Sequence, residues 1–287
     1  MNSDSPIRSS ELVQTDPALG ILRLAALSAG PGGRLDDDTL DLMYEQVEAG
    51  VLETVAPAAI WPELERGLMS QAPSHMLRAL SECGALRVIL PEVAAVFGVP
   101  QISDDPSQVD IGLHLLRVLD EAAACHAPLP VRYAALVMHV GKADSPKEHL
   151  PVHYRHVERG HPRILDLSQR FGVSDDCREL ALLALAELER VHRVTPMRAG
   201  PIAAMLERVD AFQRPQRFQQ LLTLCACDYR AYGNRNFPEY PKAALLQAAL
   251  EACSGIDATV AGDALQEGRA QAIAAALRSE RWSVWAE

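Results

Sequence analysis

DIGLHLLRVLDEAAACHAPLPVRYAALVMHVGK, residues 110–142, is the stretch that decides the fold. Leu113, Leu116 and Leu119 recur at helical spacing, which predicts one helix from about Asp110 to His126. Pro130 opens a second helix that ends at Gly141. His114 falls inside the first helix and His139 at the end of the second. Outward from this pair the pattern repeats. Asp38 or Thr39 is expected to cap a helix running to Glu48 and ended by Gly50. Pro57 and Pro62 break the chain around a helix holding Leu64, Leu68 and Met69, and Pro73-Ser74 opens another that stops at Gly84. Further helices are expected at 156–171, 175–192, 199–210, 215–231, 241–253 and 261–281. No segment alternates with period two for long. The fold class is therefore all-α, a multi-helix bundle. Residues 1–14 read as a polar tail and 98–109 as a linker and the main domain boundary.

Composition supports this and excludes several functions. The chain has 287 residues, 48% hydrophobic and 23% charged, with only 5% aromatics. That is enough for a sizeable core and favours helices over strands. No run of about 18 apolar residues is present, so no transmembrane helix and no membrane partner are expected. Met1-Asn2-Ser3-Asp4 lacks the basic-then-apolar start of a signal peptide, so a cytoplasmic location is expected. Cys83, Cys125, Cys177, Cys225, Cys227 and Cys253 are scattered and read as buried free thiols. The formal net charge of −11 argues against general nucleic-acid binding by the whole surface and leaves room for a local basic face.

The histidines are the first candidates for chemistry. His114, His139, His153, His156, His192 and Asp228 lie on or beside several expected helices, and such groups can converge on a metal ion in a bundle core. His153-x-x-His156 would place two imidazoles on one helix face. The competing reading is a set of surface or hydrogen-bonded structural histidines. Arg155, Arg159 and Arg163 recur at i, i+4 and i+8, while Arg208, Arg214, Arg217, Arg230 and Arg235 crowd a later stretch. Both sets suit phosphate contact, against the alternative of solvated faces with local Glu partners such as Glu158 and Glu207. Asp36-Asp37-Asp38 precedes a helix and reads as a capping run, and Gly30-Pro31-Gly32-Gly33 as a loop with no Lys-Ser/Thr behind it.

Residues 136–142, Leu-Val-Met-His-Val-Gly-Lys, resemble the signature of HD-superfamily metal-dependent phosphohydrolases. There a His-Asp doublet precedes an apolar residue, Gly and Lys. Here Met138-His139 stands on the doublet, or His139-Val140 in a shifted register, and either way the carboxylate is missing. A hard divalent ion is poorly served by that change, whereas His139 suits a softer transition metal such as nickel, cobalt or zinc.

More of the chain resembles the neck and C-terminal region of the bacterial CCA-adding tRNA nucleotidyltransferase/poly(A) polymerase family. Asp16-Pro17 through Ile21-Leu22-Arg23, Glu82-Cys83-Gly84-Ala85-Leu86 with Leu90-Pro91-Glu92, and Asp110-Ile111-Gly112-Leu113-His114 match in order. So do Val131-Arg132-Tyr133-Ala134-Ala135-Leu136, Pro215-Gln216-Arg217 and Cys227-Asp228-Tyr229-Arg230. The resemblance implies a neck-like helical domain at 15–97, a degenerate HD-like helical domain at 110–235 and a helical tail at 236–287. His114, His153, His156, His192 and Asp228 fall on its His/Asp positions. Its nucleobase-selecting Asp and Arg fall on Asp16 and, if one residue is inserted, on Arg23; without the insertion Gly20 takes the Arg position. The family's nucleotidyltransferase head precedes this region, and the chain is expected to start after it. Three functions follow. The chain binds RNA, tRNA in particular, without catalysing transfer alone; it is a metal-dependent phosphohydrolase with an altered site; or it is the partner of a separate nucleotidyltransferase head.

Overall fold

A computed structural model describes residues 16–103, 109–233, 239–256 and 262–283. The expected tail at 1–14 and Arg235 lie outside the described residues. The described residues are helical with no strand, the all-α fold expected. None of their helices is long and apolar enough to cross a membrane. The chain divides into two compact units, Met1–Leu185 and Ala186–Glu287.

The first unit begins with α1 (Pro17–Ser28), α2 (Asp37–Glu48), α3 (Pro57–Leu68), α4 (Pro73–Glu82) and the short α5 (Ala85–Ile89) and α6 (Pro91–Ala94). It continues with α7 (Ile111–Ala124), α8 (Leu129–Val137), α9 (His156–Phe171) and the start of α10 (Asp175–His192). Proline stands in the first turn of α1, α3, α4, α6 and α8, where its missing N–H costs no helix bond. Aspartates cap three of the helices: Asp16 accepts from Leu19 N (3.2 Å), Asp36 from Thr39 N (2.8 Å) and Asp110 from Leu113 N (2.9 Å). The cap of α2 is thus Asp36, not Asp38 or Thr39. Asp37 and Asp38 sit in the first turn, where the helix dipole favours negative charge. Pro62 does not break the chain either; it lies inside α3. The carbonyl it deprives of a partner belongs to exposed Ala58, which is open to water. Gly50 and Gly84 end α2 and α4 with φ of +80°, a conformation that needs glycine.

The core follows from the apolar periodicity. Ile21, Leu24, Leu64, Leu68, Leu77 and Leu80 are buried where α1 packs on α3 and α4. Leu115, Leu119, Val131 and Leu136 are buried along α7 and α8, which pack on each other, while α4 also packs on α7. The expected linker is tied down at its two ends. Gln101 N donates to Val109 O (2.7 Å), Ile111 N to Val99 O (3.0 Å) and Gly98 N to the Asp110 carboxylate (2.6 Å). Both ends of it belong to the first unit; the boundary between units falls inside α10.

The second unit holds the end of α10, then α11 (Ala199–Arg208), α12 (Pro215–Ala231), α13 (Pro241–Ala252), α14 (Asp263–Ala276) and the short α15 (Glu280–Ser283). The single helix expected at 261–281 is therefore two. Ile202, Leu206, Phe218, Leu221, Leu245 and Ile273 are buried, and α14 packs on α11 and α13. All six cysteines are free, and only Cys125 is exposed. Burial pushes the thiols of Cys83, Cys177, Cys225 and Cys253 up, which keeps them protonated and inert.

Candidate functional site

A groove of about 630 Å³ opens in the first unit between the end of α1, the start of α2 and α4. Gly33 makes its wall possible: a Cβ there would strike the Leu27 carbonyl oxygen and lie 2.7 Å from that of Ser28. Arg34, His75 and Arg78 line the groove together with Asp37 and Glu82. Arg34 and Arg78 are exposed, and neither makes an ion pair among the described residues. His75 Nδ1 lies 3.3 Å from the Ser28 carbonyl oxygen, which can only accept, so that nitrogen carries the proton. The groove thus offers two guanidinia to an anionic ligand.

The same unit brings His114 and His139 together. Both are buried, with ring centroids 6.1 Å apart. His139 stands where α8 gives way to the 3-10 turn Val140–Lys142. That turn lies hard against α9: a Cβ on Gly141 would collide with the His156 carbonyl oxygen and lie 2.6 Å from Gly160 N. Arg159 donates to Gly141 O (3.0 Å) and to Ser145 Oγ (2.9 Å); Arg163 donates to Val140 O (2.8 Å) and pairs with Asp144. The arginines read as one phosphate-contacting face are thus turned inward at 159 and 163, holding the histidine turn in place. Arg155 pairs with Glu158 at 2.7 Å.

His153 does not join His114 and His139. Its Nδ1 meets Ser145 Oγ (2.7 Å) and its Nε2 the Pro100 carbonyl oxygen (2.9 Å), so neither ring nitrogen is left for a metal. Desolvation holds its pKa below the usual histidine range, in keeping with a neutral structural ring. His156 turns its Nδ1 to the His153 carbonyl oxygen (2.8 Å).

In the second unit His192 and Asp228 meet, Nε2 to Oδ2 at 3.0 Å. Tyr240 Oη lies 2.8 Å from His192 Nδ1. Burial pushes the Tyr240 phenol far up, so it keeps its proton. The phenol and Nδ1 thus share one hydrogen bond, while Nε2 is buried, lies close to the Asp228 carboxylate and makes no aligned hydrogen bond among the described residues. Tyr240 therefore fixes the ring of His192 against Asp228, a role that nothing in its sequence neighbourhood signals.

Two comparisons bear on these places. Residues 34–97 match a family model described as "Probable RNA and SrmB- binding site of polymerase A". The chain is 39% identical over 280 residues to the Multifunctional CCA protein of Burkholderia multivorans, covering 93% of this chain and 68% of that protein. The chain belongs to the multifunctional CCA protein family. It is also 40% identical over 267 residues to the protein of that name from Cupriavidus taiwanensis and 42% over 221 residues to that from Cupriavidus necator. These matches cover 91% and 77% of the chain but 63% and 54% of the relatives, so it spans under two thirds of their length. The family resemblance read from the sequence holds. Most of the groove lining, Arg34 through Glu82, falls inside the matched RNA-binding segment.

Asp16 and Arg23, on which the resemblance would set the nucleobase-selecting pair if one residue is inserted, both have partners within the first unit. Asp16 caps α1, and Arg23 pairs with buried Glu63 at 3.3 Å, which also binds Arg66 at 2.7 Å. In the second unit Arg208 forks onto buried Glu187, Arg217 donates to Val209 O (3.1 Å), and Arg230 lies 3.6 Å from Cys227 Sγ. Arg214 is half-buried at the start of α12. Arg34 and Arg78 were hidden from sequence reasoning because each stands alone in its segment, and only the fold sets them on one groove.

Proposed function

We propose that this CCA-family chain binds RNA, tRNA in particular, through the groove that carries Arg34 and Arg78, and that nucleotidyl transfer needs residues other than these. The observation that carries the reading is two exposed guanidinia without ion pairs inside the segment that matches an RNA-binding model. Arginines of this kind bind phosphate by releasing counterions, so the affinity falls with salt. Asp36 caps α2 and Asp37 and Asp38 lie in its first turn, which supports a capping run rather than a pair for catalytic metal ions. A partner with a nucleotidyltransferase head would supply transfer. The test is tRNA binding by fluorescence anisotropy across a salt series. Replacing Arg34 and Arg78 together by alanine is expected to weaken binding about tenfold or more and to reduce the salt slope by roughly 1 to 2. Binding that is absent in the parent chain, or unchanged in the variant, overturns the reading.

A second reading is metal-dependent phosphohydrolysis, favoured by the buried His114–His139 pair and by the ordered His192–Asp228 pair. Imidazole donors suit nickel, cobalt or zinc, which would act by polarising a phosphoryl oxygen and activating water. Each pair by itself holds two of the three protein ligands that a catalytic zinc takes. Under this reading the purified chain carries about one equivalent of such a metal by plasma mass spectrometry, and His139→Ala loses it. Metal well below one equivalent in the parent chain removes this reading.

A further inference from the structure

The end of α10, the turn after it and α11 along its length enclose a second groove, of about 270 Å³, far along the chain from the matched RNA-binding segment. Arg190, Arg193, Arg198 and Arg208 line it, and no carboxylate does. Glu187 explains how these guanidinia are set. It is buried, at 3% side-chain exposure, and both of its oxygens are used: Arg208 binds it through Nε (2.7 Å) and Nη2 (2.8 Å), and Arg190 through Nη1 (2.6 Å). A forked bond of this type fixes the guanidinium plane. It leaves Arg208 Nη1 and Arg190 Nη2 with no protein partner among the described residues. Arg193 is mostly exposed and reaches Glu189 only at 3.4 Å, and Arg198 makes no ion pair among the described residues. Four guanidinia thus face two carboxylates in a chain whose formal net charge is −11. The floor between them is apolar, from Val194, Pro201, Ile202 and Met205.

We propose that this groove is a nucleotide site that grips the phosphate with Arg193, Arg198 and the oriented Arg190 and Arg208, and rests the sugar and base on the apolar floor. Several guanidinia spread around one opening suit the many oxygens of a phosphate better than the two of a carboxylate. The groove also has more room than a lone phosphate fills, and guanidinium planes stack on nucleobases. The nucleotide is either free or one unit of an RNA strand. The sequence masked the site because Arg190 and Arg193 alternate with Glu187 and Glu189 and read as an ordinary solvated helix face.

The experiment is calorimetric titration of the full chain with AMP, adenosine and inorganic phosphate, followed by competition of bound AMP with a short RNA. AMP is expected to bind in a salt-sensitive way and adenosine at least tenfold more weakly. Arg198→Ala, which breaks no ion pair among the described residues, is expected to weaken AMP about tenfold, with Arg198→Lys in between. Displacement of AMP by the RNA identifies the strand as the source of the nucleotide; AMP binding that RNA leaves untouched identifies the free nucleotide. Equal binding of AMP and adenosine, no binding of AMP, or Arg198→Ala binding AMP like the parent chain each overturns the proposal. The Arg34/Arg78 variant is expected to keep AMP binding, so failure at one groove is separable from failure at the other.

Discussion

Replacing Arg132 by alanine is expected to destabilise the first unit by about 3 to 4 kcal/mol. Arg132 is 4% exposed. Its Nε donates to Ala127 O (2.9 Å), and its Nη1 donates to Leu68 O (2.7 Å) and Ser70 O (2.8 Å). Leu68 ends α3, so the guanidinium satisfies carbonyls at the negative end of a helix dipole and joins α3 to α8. Alanine leaves those buried acceptors without the donor and opens a cavity as well. Arg132→Met keeps most of the volume and is expected to recover less than half of the loss. The check is hydrogen exchange of the α3 and α8 amides under native conditions, which reads local opening of this unit directly. A loss below about 1 kcal/mol for Arg132→Ala would show that the carbonyls find water instead.

Gly141→Val comes next, at about 3 kcal/mol. The atoms that a Cβ would meet are the His156 carbonyl oxygen and the N and Cα of Gly160, all backbone, so no rotamer change relieves the overlap. Gly160 is itself hemmed in, since its own Cβ would lie 2.8 Å from Leu185 Cδ1 and 3.3 Å from Gly141 Cα. The turn and α9 must separate, and the bonds from Arg159 and Arg163 to the turn carbonyls stretch with them. For a unit of this size the melting temperature is expected to fall by roughly 6 to 12 °C. Gly200→Ala is the matched control: nothing lies within 4 Å of its Cβ, and it sits in α11, where alanine is the better helix former. Equal melting temperatures for Gly141→Val and the parent chain would mean that α9 does not pack on this turn as described.

The helices at 156–171, 175–192 and 215–231 were legible to the residue because local signals agree there. Gly172 closes α9, Asp175 and Asp176 open α10, and Pro215 opens α12. Pro62 misled because a proline six residues into a helix costs little when the carbonyl it orphans is exposed. The site was legible only in parts. His114 and His139 meet because α7 and α8 are neighbours joined by a short connection, as the sequence order suggests. His153 could not be placed from spacing, since its partner Pro100 O lies 53 residues away. The inward turn of Arg159 and Arg163 was hidden for the same reason: an i, i+4 face looks alike whether it meets solvent or another turn.

Met138 and Val140, the two residues flanking His139, are 2% and 0% exposed. Both positions at which the family resemblance would place the doublet's acidic or imidazole partner now lie in an apolar interior. A carboxylate introduced at 140 would be stripped of water, and without a bound cation it would be protonated at neutral pH or would loosen the packing around it. An acidic doublet made here by a single substitution would therefore place a carboxylate in packed core, and the side chains around it would have to be rebuilt with it.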